Sequence, residues 1–195
     1  MKKIFGLFIF IGLFIISQAQ AADLYTIDAA HSSIGFSVKH MMVSNVSGGF
    51  DQYEGTIAFD PSDLSGSKTE VKIETAGINT HVAKRDEHLK SADFFDAQKF
   101  PAITFTSKKI TKSGDNYTII GDLTLKGITK EVSIPVTIAG PVQSPMGAAV
   151  IGLSGQFTIN RQDYGITWNK ILDNGGFMVS NEVKVDVNVE AHNKK

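Results

Sequence analysis

The sequence predicts an all-β domain of about eight antiparallel strands carrying one short helix, and three observations lead there. Apolar and polar residues alternate with period two almost from end to end, the mark of strands with one dry face and one wet face. Clusters of Gly, Pro, Asn and Asp punctuate the alternation, as in Asp60-Pro61-Ser62-Asp63, Ser113-Gly114-Asp115-Asn116 and Asp173-Asn174-Gly175-Gly176. Only the stretch from about His81 to Ser91 reads as helix, with Asn79 or Thr80 as its expected cap. One short helix cannot cover so many apolar faces. They must meet each other, across a two-sheet sandwich or inside a closed barrel.

Taken in order, Ile34, Phe36 and Val38 share the first clear face, followed by Tyr53, Ile57 and Phe59, and then by Val71 with Ile73. Ile103 and Phe105 begin the second half, and Tyr117, Ile119, Leu123 and Leu125 continue it. Val132, Ile134, Val136 and Ile138 come next, with Pro135 among them as the sign of an edge position or a bulge. Ile151, Leu153, Phe157 and Ile159 follow, and the last strand opposes Val183, Val185, Val187 and Val189 to Lys184, Asp186, Asn188 and Glu190. Short turns between consecutive strands favour simple up-and-down pairing. Periodicity does not separate a packed interior from a greasy pocket.

The first 21 residues say where the chain is expected to work. Lys2 and Lys3 precede an apolar run from Ile4 to Ile16 and an Ala19-Gln20-Ala21 exit, the pattern of a secretory signal cut after Ala21. The remaining segment, 22–195, is of single-domain size, and the location expected for it is the periplasm or the exterior. Removing the two lysines moves the formal charge from −1 to about −3, which favours neither nucleic acid nor an anionic membrane as partner, and no stable membrane insertion is expected. With no cysteine there is no disulfide framework, thiolate nucleophile or cysteine zinc site.

Enzyme signatures are thin. Gly152-Leu153-Ser154-Gly155 and Gly35-Phe36-Ser37 both miss the nucleophile-elbow spacing. Ser65-Gly66-Ser67-Lys68 has a Ser-x-x-Lys spacing but falls in a polar turn without its companion motifs. No phosphate-binding glycine loop is present, and the chain is read as a non-enzyme. His31, His40, His81, His88 and His192 include no helical pair three or four apart, so no metal site is expected.

Several motifs in order resemble the YceI-like family of secreted proteins. They are Tyr25-Thr26-Ile27-Asp28, the run His31 to His40, Val46 to Phe50, Arg85 to Ser91, Asp93 to Asp96, Phe100-Pro101, Gly121 to Gly127 and Arg161 to Gly165. The resemblance covers essentially the whole of 22–195. It implies an eight-stranded antiparallel lipocalin-like up-and-down barrel with one short helix, whose interior takes a polyisoprenoid, a quinone or a similar fatty lipid as ligand and needs no cofactor. Two positions depart from the family pattern: Ala29 stands where a proline is common, and Asn181 where an acidic residue is common.

On that reading Phe36, Val38, Phe50, Ile103, Phe105, Leu123, Leu125 and Phe157 are candidate wall residues for a lipid. Arg85 and His88 share a helical face, and Arg161 and Asp163 occupy alternate positions after the seventh strand. These four are candidates for a polar collar around a head group; the alternative is structural pairing, Arg85 with Asp86 and Arg161 with Asp163. A second functional reading makes the chain a secreted enzyme on a lipid or prenyl phosphate, with His88 and Arg85 or Asp163 as its polar groups. Phe94, Phe95 and Phe100 would cap the tube or staple the helix, and Met41-Met42 would give an adaptable rim. An open mouth or an uncovered edge near Pro135 would suit a homodimer. Intact mass of the exported protein tests the leader: the expected N-terminus is Ala22, and a chain retaining Ile4 to Ile16 overturns it.

Overall fold

The computed structural model describes residues 22–173 and 175–193; the expected leader, 1–21, lies outside them. The strands are β1 (Asp23–Ile27), β2 (Ser33–His40), β3 (Ser44–Phe50), β4 (Tyr53–Phe59), β5 (Lys68–Glu74) and β6 (Ile78–Asn79). After the helix α1 (Ala83–Lys90) come β7 (Ala102–Ser113), β8 (Asn116–Leu125), β9 (Ile128–Gln143), β10 (Ala149–Asn160) and β11 (Val179–Asn193).

These segments build the eight expected staves, because three staves are bent. β1 and β2 both run antiparallel to β11, on either side of a short 3₁₀ turn at Ala29–His31. β4 and β3 pair with β1 and β2 in turn, and β5 and β6 pair with β4 and β3. The remaining staves pair with their neighbours in chain order, and β1 meets β11 through Thr26↔His192 and Ile27↔Ala191. The sheet is a closed antiparallel up-and-down barrel, with one α-helix among the described residues. Bends of this kind let long strands coil around a small barrel without losing register.

Two seams are left open near one end. β7 pairs with β5 and not with β6, and the helix with the segment that follows it fills this gap. β9 pairs with β10 only as far as Val136↔Gly155. Pro135 is the next residue, so the expected edge position is where β9 parts from β10 and a missing N–H is tolerated. Val82 stands at the N-cap position of the helix, without the side-chain cap expected of Asn79 or Thr80. Those residues are otherwise engaged: Asn79 Oδ1 accepts from the His81 N–H, and Thr80 donates both its N–H and its hydroxyl to Asp86.

The interior is filled unevenly. At one end Tyr25, Ile57, Phe59, Tyr117, Ile151, Leu153, Val189 and Ala191 form a packed plug, with Phe59 edge-on to Tyr117 at 5.8 Å between ring centroids. Towards the helix end Ile34, Ile73, Phe94, Ile103, Leu125, Tyr164 and Ile166 form a second cluster. Between them the alternation holds while burial relaxes. Val183, Val185 and Val187 face inward like Val189 yet remain half-buried, as do Phe36, Phe105 and Phe157. Inward-facing apolar side chains that are not fully buried border empty space.

Gly121 is part of that arrangement. A Cβ built there would lie 2.5 Å from the Thr106 carbonyl oxygen and 2.7 Å from the Phe105 ring, so the absent side chain makes room for the ring in the wall. Gly152, on the outer side of β10, has open space around it. Gly121→Ala is therefore expected to lower unfolding stability by about 1–3 kcal/mol in denaturant titration. Gly152→Ala is expected within about 0.5 kcal/mol of the parent; equal effects would contradict this packing.

Candidate ligand-binding site

The space between the two clusters is a cavity of about 350 Å³, within the roughly 300–1,000 Å³ range of small-molecule sites. Its wall is drawn from all eight staves, the helix and the loop that follows β10. Polar lining is confined to His40, Thr69, Thr80, Arg85, His88 and Arg161; among the described residues no Asp, Glu, Ser or Lys faces it. Thr69 Oγ1 is a buried hydroxyl without a hydrogen-bond partner, and its residue faces the same space.

All the wall candidates named from sequence, Phe36, Val38, Phe50, Ile103, Phe105, Leu123, Leu125 and Phe157, line the cavity, and so do Arg85, His88 and Arg161. Asp163 does not. It lies exposed on a 3₁₀ turn, Arg161–Tyr164, in which residues three apart eclipse. Arg161 and Tyr164 therefore turn inward together while Gln162 and Asp163 face out. Reading 161 and 163 as alternate strand positions applied a period of two where the chain has a period of three.

Arg161 is the most constrained polar group of the site. It is 4% exposed, and all five guanidinium N–H donors have acceptors. Nε donates to the Ser180 carbonyl at 2.9 Å, one terminal nitrogen to the carbonyls of Ile166 at 2.7 Å and Trp168 at 2.8 Å, and the other to the Val179 carbonyl at 3.4 Å and Asn181 Oδ1 at 3.3 Å. The expected pairing with Asp163 is absent. Neutral oxygens do the work, tying the loop after β10 to the start of β11. Burial pushes the Arg161 pKa down from its ordinary value. Position 181, where the resemblance leads one to expect an acid, offers only an amide oxygen.

Arg85 and Asp86 do not pair directly either; both clamp Thr80. Arg85 Nε donates to Thr80 Oγ1 at 2.7 Å and a terminal nitrogen to the Thr80 carbonyl at 2.8 Å. The hydroxyl of Thr80 donates in turn to Asp86 at 2.5 Å, and this bond is the largest of the influences holding the Asp86 carboxyl below its usual range. His88 accepts no such clamp. It stands edge-on to Phe94 and Trp168, 5.0 and 5.1 Å between centroids, and its Nε2 is 3.0 Å from Asp93 Oδ2. A second aromatic run, Phe36–Phe50–Phe95, crosses the same end.

Phe94 and Phe95 thus both line the cavity, whereas Phe100 packs over Gly127. Met41 and Met42 sit exposed in a turn with positive φ and leave the wall to Met178. Trp168 and Met178 were missed from sequence because they lie in 161–178, which has no sustained period; the lone tryptophan there was the available signal.

The comparisons with known proteins fit this architecture. The family model of the YceI-like domain matches residues 25–191. A UPF0312 protein of Staphylococcus aureus is 42% identical over 167 residues, covering 85% of this chain and 95% of that one. Among solved structures, the YCEI protein of Campylobacter jejuni superposes with a TM-score of 0.70 at 34% identity, over 80% of this chain and 90% of that one. BcnA of Burkholderia cenocepacia gives 0.75 at 24% identity, over 84% and 98%. A polyisoprenoid binding domain from Saccharophagus degradans gives 0.68 at 15% identity, over 90% and 100%; these last two share the fold.

The arginine gives a stability test of the site's frame. Arg161→Ala leaves the carbonyls of Ser180, Ile166 and Trp168 without this donor, while Val179 keeps that of Asn169 Nδ2; each buried acceptor left unpaired costs about 1–3 kcal/mol, so a loss of roughly 3 kcal/mol or more is expected in denaturant titration. Arg161→Lys, with three donors and no fork, should recover only part of it. A loss below about 1 kcal/mol for the alanine variant would overturn this role.

Proposed function

The chain belongs to the YceI-like family, and from that membership and the half-empty bore we propose that it binds a long-chain lipid of the polyisoprenoid type, a quinone or fatty chain included, and releases it chemically unchanged. The observation that carries this reading is the gradient along β11, from fully buried Val189 at the plugged end to half-buried Val183, Val185 and Val187 over the cavity. A hydrocarbon is the occupant that such a wall suits. Each buried methylene contributes about 0.8 kcal/mol, so a prenyl chain has more transfer energy available than an ordinary affinity uses. Such walls discriminate weakly between chains differing by a methylene, so selectivity is loose.

The head group belongs near Arg85, with the fully bonded Arg161 contributing its charge and not a free donor. Both line a cavity in which no carboxylate among the described residues opposes them, which favours an electron-rich or anionic group such as a quinone carbonyl or a phosphate. The turn after β2 is hydrogen-bonded to the segment before β11, and together they expose Met42, Val43, Ile171 and Phe177, an apolar lip suited to taking lipid from a membrane. The polyisoprenoid binding named for the Saccharophagus domain accords with this reading. The work is done after export, in the periplasm or outside the cell.

Mass spectrometry of an organic extract from natively purified protein is the test. A prenyl or other long-chain lipid is expected from the parent and none from Phe105→Asp, whose circular dichroism should remain that of a β-barrel. Added prenyl compounds should raise the melting temperature of the emptied parent, by the equivalent of about 2.7 kcal/mol at a hundredfold excess over Kd. An empty extract with no thermal shift would reject the proposal, as would full lipid retention by folded Phe105→Asp.

A further inference from the structure

Outside the barrel, at the point where the ring closes, two histidines and two carboxylates come together from opposite ends of the chain. The bend between β1 and β2 presents Asp28 and His31, and the outer face of β11 presents Glu190 and His192 two residues apart. His31 Nδ1 lies 2.9 Å from Asp28 Oδ2 and 3.9 Å from Glu190 Oε1. His192 Nε2 lies 3.8 Å from Asp28 Oδ2 and 2.8 Å from Glu190 Oε1. The ligand atoms of Asp28, His31 and Glu190 all fall within 4.8 Å of one another.

We propose that Asp28, His31, Glu190 and His192 form a site for a borderline divalent metal ion, zinc foremost, which clips β1–β2 to β11 across the closing seam of the barrel. Four of the six separations straddle the roughly 3.3 Å edge of a tetrahedron whose corners lie about 2.0–2.1 Å from a central zinc; His192 lies outside the group whose ligand atoms all fall within 4.8 Å, so the exposed His31 ring or that of His192 turns inward when the four close on one ion. The donor set suits it as well, since two imidazoles select zinc-like ions over calcium or magnesium, which take oxygen ligands alone. Four protein ligands leave no open position, so the site is structural.

The supporting bonds hold the ligands in place. Asp28 Oδ1 accepts from the Ala30 N–H at 2.9 Å, which leaves Oδ2 turned towards the histidines. The Glu190 N–H donates to Ser32 Oγ at 3.0 Å, and the Glu190 carbonyl accepts from the Asp28 N–H at 2.9 Å. Ligand-orienting contacts of this kind are what metal sites require. The place also gives such an ion something to do. Among the described residues β1 itself is paired with β11 only at Thr26↔His192 and Ile27↔Ala191, and the rest of that seam is carried by β2 beyond the bend at 29–31. The proposal departs from the sequence expectation of no metal site, which looked for histidines close together along a helix.

Calorimetric titration of ZnCl₂ into tag-free, chelator-treated protein is the test. One saturable zinc per chain is expected, with a melting temperature that rises with zinc concentration and does not respond to equal concentrations of MgCl₂. His31→Gln and His192→Gln should each weaken binding at least about tenfold and abolish the thermal shift, while melting like the parent in chelator and retaining any lipid. Glu190→Gln, which preserves side-chain size, should do the same. Absence of saturable zinc binding by the parent, or zinc binding of parental strength in these three variants, overturns the site.

Discussion

A single short helix among the described residues, set against eight staves of amphipathic sheet, is the constraint on which this structure depends. Apolar faces with nothing to cover them have to cover one another, and a curved sheet does so by closing on itself. Closure then fixes the chain order of the staves, leaves β1 and β11 to meet, and turns every second residue of each strand into the bore. The bends at 29–31, 51–52 and 75–77 follow from the same requirement, because staves as long as β11 stay in register around a narrow barrel only by coiling.

Closure alone does not leave a bore empty; residue size does. The plugged end is built from Tyr25, Phe59, Tyr117 and isoleucines, which reach the axis from opposite sides. The hollow part is walled on β11 by valines, too short to meet a partner across it, and Gly121 leaves Phe105 lying along the wall instead of across the bore. The wide end is then roofed by elements outside the ring: the helix with Phe94 and Phe95, and the loop carrying Ile166 and Trp168. Arg161 holds that loop to β11 through backbone carbonyls, so the roof's geometry does not depend on any single carboxylate partner.

Strand faces were legible in the sequence because period two survives the bends: Ile34, Phe36 and Val38 face inward whether or not β1 and β2 are counted as one stave. The wall residues followed from the same alternation, and every apolar candidate faces the cavity. Polar roles were not legible, for a physical reason. A guanidinium that bonds to carbonyls leaves no complementary residue in the sequence, so Arg161 invited pairing with the nearby Asp163, and only the 3₁₀ turn shows that the two diverge. Arg85 and Asp86 likewise converge on Thr80, whose backbone atoms supply half of the contacts. The cluster at the seam was invisible in principle, since His31 and His192 become neighbours only through closure.

Closure also relates the inside of the barrel to its outside. Asp28 caps the turn that bends the first stave, and the same segment continues into Phe36 and Val38 of the wall. Glu190 and His192 lie on the outer face of the strand whose inner face runs from the packed Val189 down to the half-empty valines. Any force that tightens or loosens the β1–β11 junction therefore acts on two of the staves that wall the cavity, through the backbone bond from Asp28 N–H to the Glu190 carbonyl and the side-chain bond from the Tyr53 hydroxyl to the Ser32 carbonyl. A packed core would absorb such a strain by repacking. A bore lined by side chains with no partners opposite has nothing to repack, so its width is set by the ring itself, and a seam whose pairing is split by a bend, as that between β1–β2 and β11 is, transmits such a change along both halves of the stave.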